Sequence, residues 1–77
     1  MQNNNNYPLD QPIYMETLDG LSRDESKTLL ESYIHRQQSF LDESPITGFR
    51  RYQREVCLLG AQLLHKFLFG KTDITSQ

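Results

Sequence analysis

At 77 residues, with 8 Lys+Arg against 10 Asp+Glu and a net charge of −2, the chain has room for one domain and buries only roughly 60% of its unfolded surface. Apolar residues make up 36%, below the ~45–50% of ordinary globular chains, and mean hydropathy is −0.66. A walled pocket of ~300 Å³ or more finds little room in such a chain, so the composition argues against an independent enzyme and for binding.

Residues 1–12 read as a disordered lead. Four consecutive Asn, then Pro8 and Pro12, bring too little apolar surface to offset the entropy of ordering. The stretch has neither the basic nor the apolar region of a secretory signal. The single cysteine, Cys57, rules out an intrachain disulfide, and the chain reads as cytoplasmic. Residues 13–20 predict a short leading helix that ends at Gly20, with Leu9, Ile13, Leu18 and Leu21 along one apolar edge.

Ser22, followed three residues later by Glu25, is the capping-box pattern, in which each side chain satisfies a backbone N–H of the other residue. Asp24 and Glu25 suit the positive end of the helix dipole. A helix is expected from 22 to about 41. Leu29, Leu30, Tyr33, Ile34, Phe40 and Leu41 form its apolar stripe, and Lys27, Glu31, His35, Gln38 and Asp42 its wet face. The break is Asp42-Glu43-Ser44-Pro45, because a residue before proline is pushed out of the α region. Ser44 as N-cap and Pro45 at the first position then predict a second helix. Gly48 weakens that first turn, so the helix is placed at 47–69. Gly70 is positioned as its left-handed C-cap, and residues 71–77 form a polar tail around a single helical domain, 13–70.

From Val56 to Phe69, ten of fourteen residues are Val, Cys, Leu, Ala or Phe. That is too short for a membrane span, and it is apolar nearly all round. One neighbouring helix covers only one side, so the other side needs a partner. The fold class predicted is therefore all-α: an antiparallel helical hairpin that dimerises into a four-helix arrangement. Leu59, Leu63, Leu64, Phe67 and Leu68 are the expected self-association residues. Residues 1–44 carry eight acidic and three basic residues, and residues 45–77 two and five. This polarity favours antiparallel docking.

No catalytic, cofactor or metal residues are assigned. Cys57 reads as a small core residue, and His35 and His65 do not complete a metal set with it. Arg50, Arg51 and Arg54, beside Phe49 and Tyr52, are the expected partner-binding residues, since arginine and aromatics dominate interface hot spots. The same arginines offer a nucleic-acid alternative, which the acidic pI of about 5.5 disfavours. A minor subunit of a larger complex is a further alternative.

The stretch Leu21-Ser22-Arg23-Asp24-Glu25-Ser26-Lys27-Thr28-Leu29-Leu30-Glu31-Ser32-Tyr33 resembles the opening of the long helix in NblA-type phycobilisome degradation proteins of cyanobacteria and red-algal plastids. The upstream Ile13–Leu21 segment resembles their short first helix. The likeness spans residues 13–41. It implies a dimeric helical hairpin that is no enzyme and acts as an adaptor between phycobiliproteins and a Clp-type protease. After Asp42 the sequence departs: a second helix, 47–69, follows where that family ends, so no partner-binding residue is carried over there.

Overall fold

The computed structural model describes residues 7–70. The chain is an antiparallel helical hairpin, α1 (Arg23–Glu43) and α2 (Gly48–Phe69), preceded by one 3₁₀ turn at Met15–Leu18. No strand occurs among the described residues. The two ends of the hairpin are each closed by an arginine over a phenylalanine. Arg23, at the start of α1, lies 4.7 Å from the Phe69 ring centre at the end of α2. Arg54, near the start of α2, lies 4.4 Å from that of Phe40 near the end of α1.

Helix α1 starts as its sequence dictates. The Glu25 N–H donates to Ser22 Oγ at 3.1 Å, and the Ser22 N–H donates to Glu25 Oε1 at 2.9 Å. Gly20 supplies the turn into this cap at φ +85°, a conformation that other residues adopt only at a cost. Leu29, Leu30, Tyr33 and Leu41 are buried along the predicted stripe, and the predicted wet face is exposed throughout. From α2, Cys57 and Ala61 complete the core with Ile13 and Leu18, while Leu64, Leu68 and Phe69 pack against its edge.

Four expectations need correction. The leading helix is a single 3₁₀ turn, in which the Thr17 hydroxyl accepts from the Tyr14 N–H at 3.1 Å. Ser44 closes α1 rather than opening α2: its N–H donates to the Phe40 carbonyl at 2.8 Å. Pro45 and Ile46 link the extended residues Ser44 and Thr47, and α2 begins after Thr47 with Gly48 at φ +70°. Gly70 is not left-handed but has φ −102°. Its N–H donates to the Lys66 carbonyl at 2.9 Å, which simply continues the helical pattern by one residue.

The fourth correction concerns the lead. Residues 7–12, expected to be disordered, form a strap against α1. The Tyr33 hydroxyl donates to the Gln11 carbonyl at 2.7 Å. The Gln37 amide donates to the Leu9 carbonyl at 2.8 Å, and an Arg36 N–H to the Tyr7 carbonyl at 3.1 Å. Tyr7 and Leu9 of the strap pack against the core, the Tyr7 ring edge-on to Tyr33 at 5.7 Å, and α1 offers donors to the strap's backbone carbonyls, so that the polar groups brought in with them find partners. The remaining lead, 1–6, and the tail, 71–77, lie outside the described residues.

Candidate functional site

Helix α2 has two faces. Its inner face buries Cys57, Leu58 and Ala61. Its outer face carries Phe49, Tyr52, Val56, Leu59, Leu63 and Phe67, all exposed. Val56 is the least open of the six and is still 47% exposed, and Phe49 is the most open at 74%. The positions 49, 52, 56, 59 and 63 step alternately by three and four residues. That spacing draws one continuous seam along a helix, of the kind that packs against another helix. The Phe49 and Tyr52 rings stand 6.3 Å apart at one end of it.

Of the five residues expected to mediate self-association, three lie on this seam: Leu59, Leu63 and Phe67. Leu64 and Leu68 do not. They are half-buried against the hairpin's own core. The run Val56–Phe69 is apolar on both sides, and sequence spacing alone does not say which leucines face α1.

The arginine cluster is divided by the fold. Arg51 is used internally. Its Nε donates to Glu55 at 2.9 Å and its guanidinium to the Leu41 carbonyl at 3.2 Å. That carbonyl lacks its usual helical donor because the residue four positions on is Pro45, which has no N–H. The Arg54 guanidinium sits over the Phe40 ring. Arg50 is exposed. With Asp10, Phe40, Ile46, Gln53 and Arg54 it lines an open groove of about 350 Å³. A second open groove, of about 530 Å³, runs beside the seam between Pro12, Ile13 and Tyr14, where the strap ends, and the α2 residues Gln53, Val56, Cys57 and Gly60.

The other candidates have structural roles. Cys57 is a buried free thiol. Beside it, burial above all, and then Cys57 itself, pushes the Tyr33 phenol well above its ordinary value. His65 Nε2 lies 3.0 Å from Glu31 Oε2, which also meets Lys27 Nζ at 2.9 Å. These two contacts, Lys27 first, hold the Glu31 carboxyl below its ordinary value. Among the described residues no three His, Cys, Asp or Glu side chains are grouped to hold a metal ion, and no helix is long and apolar enough to cross a membrane.

Comparison of the chain with protein-family models, with curated proteins and with solved structures gives no match.

Proposed function

We propose that the chain is a small non-catalytic adaptor or regulator of the cytoplasm that works by binding another protein through the outer face of α2. The observation that carries this reading is the seam of six exposed large apolar side chains, Phe49 to Phe67. A monomer rarely leaves a contiguous apolar patch of several hundred Å² in water unless something docks on it. Phe49 and Tyr52 are the anchors, and the exposed Arg50 beside them supplies charge at the rim. The NblA-like opening at residues 13–41 supports the same class of role, an adaptor such as one serving phycobilisome turnover.

Nucleic-acid binding through Arg50, Arg51 and Arg54 is the lesser reading. Arg51 is committed to Glu55 and the Leu41 carbonyl and Arg54 to Phe40, which leaves Arg50 a small footprint for phosphates. The two readings separate in one experiment. The wild-type chain and the Phe49→Ala/Tyr52→Ala and Arg50→Glu variants are used for affinity capture from host lysate and for gel-shift with duplex DNA and RNA. A protein retained by wild type and lost by the aromatic double variant is the expected result. A salt-sensitive wild-type shift, abolished by Arg50→Glu, would replace this reading with the nucleic-acid one.

A further inference from the structure

Gly60 sits in the middle of α2, and nothing among the described residues explains it. Glycine inside a helix costs about 1 kcal/mol relative to alanine. A Cβ added at Gly60 would meet no atom within 4 Å, so the hairpin itself does not need a glycine there. The residue borders the seam between Val56 and Leu63, and its bare backbone forms part of the 530 Å³ groove. What a glycine gives at such a place is close approach by a second backbone.

We propose that the outer face of α2 packs against the same face of a second copy of this chain, antiparallel, with the two helices crossing at Gly60. The proposal deepens the protein-binding reading and rests on the same seam: the second copy covers the face until another protein displaces it. It fits the sequence on a two-fold axis through the Leu59–Gly60 peptide, because such an axis demands that a surface be its own complement. Positions equidistant from that peptide are Val56 with Leu63, and Tyr52 with Phe67. All four are exposed and apolar. Leu59 and Leu63 of the second copy enter the groove beside Gly60. The area suffices: a fully enclosed aromatic buries ~150–250 Å², so Phe49, Tyr52 and Phe67, at 74%, 61% and 69% exposure, offer roughly 300–500 Å². With Val56, Leu59 and Leu63 the face approaches the ~800 Å² per partner of a stable interface.

Charge selects the second copy and its direction. Glu55 precedes Gly60 by five residues and Lys66 follows it by six, and both are exposed beside the seam. An antiparallel pair on that axis sets Glu55 of each copy opposite Leu64 of the other, two residues or about 3 Å of helix from Lys66 and within reach of its long side chain, twice by symmetry. A parallel pair would set Glu55 beside Glu55 and Lys66 beside Lys66, and would bring together two helix N-termini that are already positive. The antiparallel pair keeps them apart and opposes the helix dipoles.

The test uses the full chain. Sedimentation equilibrium from micromolar to hundreds of micromolar is expected to show a dimer, with helical circular dichroism at every concentration. Gly60→Ala is expected to raise the melting temperature of the dilute chain and yet weaken dimerisation at least about tenfold, since a methyl group wedges a close crossing apart. Direction is read in a Cys57→Ala background: Leu59→Cys cross-links to itself, and Tyr52→Cys cross-links to Phe67→Cys on mixing but not to itself. A helical monomer at hundreds of micromolar, a Gly60→Ala dimer as tight as wild type, or self-cross-linking of Tyr52→Cys would each overturn the proposal. A monomer that still captures a host protein through Phe49 and Tyr52 overturns this pairing and leaves the adaptor reading standing. A dimer that captures nothing does the reverse.

Discussion

The Tyr33 hydroxyl donates to the Gln11 carbonyl across 22 residues of sequence and accepts from the Gln37 amide at 3.0 Å. One phenol thus ties the strap to α1 and anchors a polar pair inside the hairpin, where Tyr33 and Gln37 are both fully enclosed. The hydroxyl is held neutral, because burial opposes its ionisation. Tyr33→Phe keeps the ring and removes the link. It leaves the Gln11 carbonyl and the Gln37 amide short of a partner, a loss of about 1–3 kcal/mol. Chemical denaturation should show that loss with helix content unchanged, and amide exchange should show residues 7–14 opening ahead of the helices.

Ser22→Ala removes the acceptor for the Glu25 N–H and is expected to cost roughly 0.5–2 kcal/mol. In a domain with only a few kcal/mol to lose, the melting temperature should drop by several degrees at fixed protein concentration. Ser44→Ala should cost less. Its hydroxyl accepts only a long bond, 3.3 Å, from the Ile46 N–H, and it opens no helix.

The three arginines should separate by stability. Arg50→Ala is expected to fall within about 0.5 kcal/mol of wild type. Arg51→Ala strips the donor from the Leu41 carbonyl and should cost about 0.5–1.5 kcal/mol. Arg54→Ala loses its stacking on Phe40 and should cost about 0.5–1 kcal/mol. Equal effects at all three positions would contradict the division of labour in the fold.

Acid should weaken the clasp between the helices at Glu31. Its folded-state value lies below the ordinary 4.5, through Lys27 first and then His65. A depressed carboxyl contributes stability above its unfolded value and loses it as pH falls through the folded one. The contribution is therefore complete at neutral pH and fades below about pH 4.5. The side chain is about half exposed, so the effect is small and screened by salt. Glu31→Gln should flatten the stability profile below that pH at low ionic strength.

What the sequence made legible follows from local physics. The Ser22–Glu25 box, the α1 stripe and the break at Pro45 depend on neighbours three or four residues away, and they appear where the pattern puts them. The strap was not legible, because Tyr33, Arg36 and Gln37 reach it across more than twenty residues, and a buried Gln looks in sequence like a wet one. Arg51 left a trace. Pro45 deprives the Leu41 carbonyl of its donor, and a cation just beyond the turn is the natural replacement. The two sides of the Val56–Phe69 run were indistinguishable because both are apolar, and only the docked α1 tells them apart.

Leu63 and Leu64, adjacent in sequence, put that last point to the test. Leu64 packs against the cluster of Leu29, Leu30, Tyr33 and Ala61, whereas Leu63 is 58% exposed. Denaturation at submicromolar concentration reads the single hairpin, with any self-association diluted out. There Leu64→Ala should cost about 1–3 kcal/mol, below the range of a fully enclosed leucine because Leu64 is half-buried. Leu63→Gln should lie within about 0.5 kcal/mol of wild type. Raising the protein to hundreds of micromolar should change only one of the two differences. Leu63→Gln should fall behind wild type, because wild type then gains the free energy of pairing and the variant does not. The Leu64→Ala deficit should stay where it was. If the Leu63→Gln difference were independent of concentration, the seam would be an exposed surface and no more.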